Sequence, residues 1–349
     1  MRSTLQDFTL RVLIAVAAAL ALALALWLAG RVADILLLVF VGALLAIFLR
    51  GLANTLARAL PFAARAAYPL AVLALLALLG GLGALLAPRV SAQAAVLVET
   101  LPGAVNAVAR QLGSYGWSRA LLEQARAWLL GAGVLGGVFG TLSLTLGVLA
   151  DLLFVLFVAL FLGADPRRYR EGLVRLVPPP ARERAHEVLG EIVLTLRGWL
   201  LGQLVAMLVI GTLTGLGLWW LGVPLPLTLG VLSGLLEFIP FAGPILAAVP
   251  AVLLAFVLSP TKALYVMLLF FAVNQIEGSV LQPLIQERSV SLPPLLTLTG
   301  ALIAATLFGF LGVLVAAPLM ATALVLVKML YLEGWYGDRI SLPGRRGRG

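Results

Sequence analysis

A glutamate interrupts an apolar run at position 237, in the stretch GLLEFIP. An ionisable side chain so placed costs about 2.5–3.5 kcal/mol on insertion scales unless it meets water or a partner. Two readings follow: a carboxylate that snorkels or caps nearby backbone, or one linked to a proton or cation. A second polar cluster, NQIEGSVLQP, holds Asn274, Gln275, Glu277 and Gln282 and closes on Pro283. On a helix Asn274 and Glu277 share a face, with Gln282 about a turn and a half beyond. These residues either line a pathway or cap a helix end. Gln203, inside another apolar run, has the reach to bond across to a neighbouring helix as a structural group. The single histidine, His186, lies among Arg and Glu and reads as a solvated surface residue.

Enzyme chemistry finds no support. HExxH, GxxxxGK[ST] and GxSxG are all absent, which removes the basis for an ATP-driven pump or a membrane metalloprotease. With no cysteine there is neither a disulfide framework nor a thiolate metal site. No cofactor is expected beyond a coupling ion, proton or sodium.

Glu237 must be positioned by a segment that has a near copy. LTLGVLSGLLEFIPFAGPILAAVP (227–250) parallels LTLTGALIAATLFGFLGVLVAAP (296–318). Leu-Thr-Leu opens both, and Phe-x-Gly follows at the same offset, as Phe241 with Gly243 and Phe310 with Gly312. Gly and Pro break each one: Pro240, Gly243 and Pro244 in the first, Gly309, Gly312 and Pro318 in the second. Paired interruptions of this kind point to a transport site at the breaks. The competing reading is that small residues and prolines merely allow close packing and kinks. The half from 227 to 241 would be about 22 Å of helix, short of a hydrocarbon core of about 30 Å. A re-entrant hairpin is therefore expected, although two short full spans have the same parity.

The rest of the chain fixes the setting. It is 62% apolar and 11% charged over 349 residues, with a mean hydropathy of +1.11, which requires a polytopic membrane protein. Spans are expected at 12–29, 34–49, 69–87, 145–163, 199–221 and 262–281, with broken segments at 225–258 and 293–331. The first is read as a retained helix, not a signal peptide, and Gly30–Ala33 as a tight turn joining it to the second. The whole is an all-α protein of about six full transmembrane helices plus two broken hairpins in an inverted-repeat arrangement. It divides into N-terminal scaffold helices (1–87), a peripheral amphipathic segment on the outer face (88–144), and a fourth helix with a charged cytoplasmic link (145–198). A transport core (199–335) and a basic tail (336–349) complete it.

Charge sets the orientation. With the N-terminus inside, 18 of the 24 Lys and Arg fall on the cytoplasmic side, so both termini are expected there. The net charge of +9 resides in loops and is expected to meet anionic lipid, not nucleic acid.

EFIPFAGPILAAVPA (237–251), NQIEGSVLQPLIQERSVSLPPLL (274–296) and LFGFLGVLVAAPLMA (307–321) resemble the signature blocks of the autoinducer-2 exporter family, in order and spacing. The resemblance covers essentially the whole chain and is specific from about residue 202 onward. It implies a bacterial inner-membrane secondary transporter that exports a small polar solute such as autoinducer-2 and works without ATP hydrolysis. Some members are associated with sodium–proton antiport, which is the alternative. Many relatives carry Asn before Ile-Pro where this chain has Glu237 two positions before Ile239, which favours a coupled cation and weakens transfer of the signal-molecule substrate. The expected partners are the bilayer, the solute and further copies of the chain. A reading of another class is a non-transporting scaffold or regulator that uses 88–144 and 181–197 to hold partners.

Overall fold

The computed structural model describes residues 2–59, 66–112, 146–239, 242–283 and 294–333. Pro240, Phe241, segment 113–145 and the tail 336–349 lie outside the described residues. Every regular element among the described residues is helical. Among the described residues, six helical segments are long and apolar enough to cross a membrane: Val32–Ala59, Ala67–Leu86, Gly147–Ala164, Pro179–Trp220, Pro260–Leu281 and Leu295–Glu333. The chain is a multi-pass membrane protein.

Helix α1 (Arg2–Ala59) corrects one expectation, because it passes through Gly30–Ala33 without a turn. The physical reason is local. One glycine costs a helix only about 1 kcal/mol relative to alanine, and no proline or polar turn cluster accompanies it. Helix α2 (Ala67–Leu112) also runs on: its apolar, span-like part is Ala67–Leu86, close to the expected 69–87, and residues 88–112 continue the same helix in place of starting separate elements. Helix α3 (Leu146–Ala164) packs against α1 with little between them. A Cβ on Gly42 would lie 2.6 Å from Val158 Cγ1, and Ala46, Leu49 and Ala159 form a shared core. The Tyr68 hydroxyl locks α2 to α3 by donating to the Ala159 and Leu160 carbonyls at 3.1 and 3.2 Å.

Beyond α3, Asp165 caps α4 (Pro166–Arg175), its side chain accepting from the Arg168 N–H at 3.3 Å. A triple proline at 178–180 then resets the chain for α5 (Arg182–Trp220). At about 1.5 Å per residue α5 is near 58 Å long, and it is the spine on which two helical hairpins hang. The exposed Trp219 and Trp220 at its end suit a membrane interface, where amphipathic aromatic rings collect.

The first hairpin consists of α6 (Pro226–Leu236) and α7 (Ala242–Leu258). Pro226 occupies the first helical position, where a missing N–H is harmless. Helix α6 runs antiparallel down α5 on a seam of glycines. A Cβ on Gly230 would be 2.7 Å from Gly215 Cα, and one on Gly234 would be 2.7 Å from the Met207 carbonyl. Only glycine admits that approach of two backbones. Leu218, Leu229, Leu254 and Val266 form one core, so both arms of the hairpin begin and end at the Trp220 end of α5. Its apex is level with residues 203–207 of α5, about 20–25 Å from that end. Helix α8 (Pro260–Ile276) follows, its start capped by the Ser259 hydroxyl accepting from the Lys262 N–H at 3.1 Å. It continues into a single π-helical turn, Glu277–Leu281.

Helix α9 (Pro294–Leu326) is two arms folded at Gly309, whose φ of 59° and ψ of −139° are not helical. A Cβ on Gly300 would strike the Met320 side chain at 2.6 Å, which a straight helix would hold about 30 Å away. Val325 and Met329 pack on Val188, so the second arm ends at the Arg182 end of α5, opposite the Trp220 end that holds the first hairpin. The hairpin tips share a feature. A Cβ on Gly243 would be 2.0 Å from the Leu236 carbonyl oxygen, and one on Gly312 would be 2.0 Å from that of Ala304. The two glycines aligned in sequence thus do the same steric work.

The second arm continues as a π-helical segment, Val327–Glu333, clamped to the base of α5. Arg184 donates to Glu333 at 2.9 Å, to the Met329 carbonyl at 2.6 Å and to Glu187 at 2.8 Å. The pair is partly exposed, so solvent screening holds its worth to about 1 kcal/mol. Arg184→Glu is expected to lower the melting temperature in detergent, and Glu333→Arg added to it to recover most of the loss. A double variant no more stable than the single would show that the pair is not the contact that matters.

Candidate functional site

The apex of the first hairpin is where the polar residues meet. Helix α6 stops at Leu236, and Glu237 follows as its C-terminal cap, with the Glu237 N–H donating to the Ser233 carbonyl at 3.0 Å. The apex is tied to α5 twice. The Gln203 amide donates to the Glu237 carbonyl at 2.8 Å, and Trp199 meets the Phe238 ring edge-on at 5.6 Å. With its backbone held from one side, the Glu237 side chain is left facing α8.

Glu237 is 5% exposed and lines a small cavity with Pro244, Asn274 and Glu277. Thr214 and Ser233 add hydroxyls to the lining, and Ile210, Ala247, Phe270 and Val273 form apolar walls. The space available to the centre of a water-sized sphere is about 10 Å³, enough for about one water. The Glu277 carboxyl faces the same cavity as Glu237, close enough for the two like charges to interact. Gln282 donates weakly to Glu277 at 3.4 Å from the far side of the π turn.

The structure therefore gathers Glu237, Pro244, Asn274 and Glu277 around one cavity and keeps Gln203 behind them as a backbone clamp. Gly243 is buried beside the cavity and closes the hairpin tip. Gln275, Gln282 and Pro283 lie on exposed parts of α8 and its continuation, outside the lining. Gly309, Gly312 and Pro318 belong to the second hairpin and do not line this cavity either. Sequence reasoning did not single out Thr214 or Ser233, because hydroxyl residues in apolar helices usually bond back to their own backbone. The usable signal was spacing: Ser233 lies one helical turn before Glu237, on the same face. Nor did it find the π turn at Glu277, a local unwinding that is frequent at functional sites.

A family model for AI-2E family transporters matches residues 13–331. The chain belongs to the AI-2E transporter family. Among its relatives are two proteins of Bacillus subtilis (strain 168), YrrI and YueF, both provisionally named as transport proteins. YrrI is 30% identical over 213 residues, 60% of this chain and 59% of that protein, so the match spans about three-fifths of YrrI. YueF is 27% identical over 273 residues, 73% of each chain. A Thermotoga maritima protein with the same kind of name is 32% identical over 120 residues, 34% of this chain and 37% of that one. The match reaches well outside the cavity, so the whole membrane architecture, and not only the polar cluster, belongs to a family of transporters.

Proposed function

We propose that this AI-2E family member is a secondary active transporter of the bacterial inner membrane. It exports a small polar, autoinducer-2-like solute by alternating access, coupled to a cation gradient through Glu237 and Glu277. The observation that carries the reading is a buried carboxyl, Glu237, at the apex of a broken helical hairpin deep along the spine helix, with Glu277 of the π turn lining the same cavity. Charged groups at such depth mark ion and substrate pathways, and half-helix ends supply the polar backbone that coordinates them. With room for about one water, the cavity corresponds to a closed conformation, and a solute requires the hairpin to move relative to α8. The two hairpins form a re-entrant, inverted-topology pair, one opening to each membrane face. The Arg-rich base of α5 and the basic tail face the cytoplasm.

Flux in proteoliposomes tests the function. The wild-type chain is expected to move at least one small polar solute against its gradient when a proton or sodium gradient is imposed, and Glu277→Gln is not. Background flux across a broad solute panel from well-folded protein would end the transporter reading.

Re-entrance has a separate test, made simple by the absence of native cysteine. Single cysteines at Leu227 and Val257 are expected to react with an impermeant thiol reagent from one and the same membrane face. A cysteine at Leu235, near the apex, is expected to react poorly from both faces. Reaction of Leu235→Cys from the face opposite to Leu227→Cys would mean two full spans.

A further inference from the structure

Among the described residues, three buried side-chain oxygens lack any hydrogen-bond partner: those of Thr195, Thr214 and Glu237. Two of them, Thr214 Oγ1 and Glu237 Oε2, belong to residues lining the same cavity, and these residues are 1% and 5% exposed. An unsatisfied buried polar atom costs about 1–3 kcal/mol, and two at one small void call for an occupant. Ser233 adds to the case. Its hydroxyl proton is already donated to the Leu229 carbonyl at 2.8 Å, so its remaining capacity is lone pairs only.

We propose that the cavity binds one water-sized monovalent cation, with Thr214 and Ser233 as ligands beside Glu237, Asn274 and Glu277. The inference rests on the transport site just described and goes beyond it by assigning Thr214 and Ser233 as two further ligands. Charge agrees. Two carboxyl groups line the cavity, and none of the ten lining residues is Lys, Arg or His. Every polar group on offer is a hard oxygen, apart from the Asn274 amide nitrogen. The C-terminal end of α6 adds its partial negative charge at the same place. Hydronium and a dehydrated alkali ion share this chemistry, and they are separated by experiment.

The test is thermal unfolding of the purified full chain in detergent, at constant ionic strength with choline chloride as the balancing salt. A ligand that binds only the folded state raises the melting temperature with its logarithmic concentration. If the occupant is an alkali ion, sodium, lithium or potassium raises the wild-type value at fixed pH. If it is hydronium, those salts do nothing, and the wild-type value responds to pH more steeply than that of Thr214→Val. Thr214→Val keeps the shape and removes the orphaned hydroxyl, so it is expected to fold. It should weaken the apparent affinity about 10-fold, the worth of one hydrogen-bonding ligand. Thr214→Ser should retain the wild-type response. Two results overturn the proposal: a melting temperature indifferent to both ions and pH, or a Thr214→Val response equal to wild type. Carboxyl-dependent solute flux together with either of these would leave the transporter reading standing without this site. Cation binding by a chain that moves no solute would do the reverse.

Discussion

Gly243→Ala is expected to abolish the folded state of the first hairpin, with a loss of about 3 kcal/mol or more. The added methyl carbon would sit 2.0 Å from the Leu236 carbonyl oxygen, 2.6 Å from its carbon and 3.2 Å from the Glu237 nitrogen. All three are backbone atoms, so no rotamer change relieves the clash and the tip must open by more than an ångström. The apex is pinned by Gln203 and Trp199, which leaves nowhere to go without breaking those contacts. Gly312→Ala should behave in the same way, because its methyl would sit 2.0 Å from the Ala304 carbonyl oxygen.

Two other glycines make the contrast informative. At Gly309 nothing lies within 4 Å, but φ is 59°, so alanine there pays through backbone strain alone, about 1–3 kcal/mol. At Gly278 there is open space and no positive φ, so alanine should be nearly silent. Monodisperse yield and melting temperature in detergent should rank the four as Gly243→Ala and Gly312→Ala worst, Gly309→Ala next, and Gly278→Ala near wild type. A Gly243→Ala protein as stable as wild type would mean that the hairpin tip is not closed as described.

These glycines also show what the sequence disclosed and what it hid. The aligned Phe-x-Gly positions were visible as a repeat, and the composition and spacing made a broken apolar helix legible. The steric role of Gly243 and Gly312 was not legible, because a close contact is made with a carbonyl seven or eight residues back only once the turn exists. The tight turn assigned to Gly30–Ala33 failed for a related reason: a lone glycine permits a turn but does not impose one, and neighbouring helix-compatible residues carry α1 through. Segment 88–112 read as amphipathic because polar groups such as Gln93 punctuate it. In the structure Gln93 accepts from both the N–H and the hydroxyl of Thr228, at 3.2 and 2.9 Å, and so fastens α2 to the start of the first hairpin. A polar residue used for docking one helix on another looks the same in sequence as one used for wetting a surface.

Glu237→Gln is expected to reduce coupled flux about 100-fold or more while leaving the protein at least as stable as wild type. The two halves of that expectation come from different physics. Removing a charged ligand from a buried site typically costs 3–5 kcal/mol of interaction, and each 1.4 kcal/mol is a factor of ten. Stability should not suffer, because the tie to Gln203 uses the Glu237 backbone carbonyl and survives the substitution. Replacing a buried, incompletely bonded carboxyl by its neutral isostere also removes a desolvation cost. Glu277→Gln should show the same flux defect, and the double variant should be no worse than the poorer single, if the two carboxyl groups that line the one cavity act as a unit. Additive losses would instead place the two carboxyl groups in separate steps. Unaltered flux with a lowered melting temperature would make Glu237 a packing residue after all, and the broken hairpin a kink without cargo.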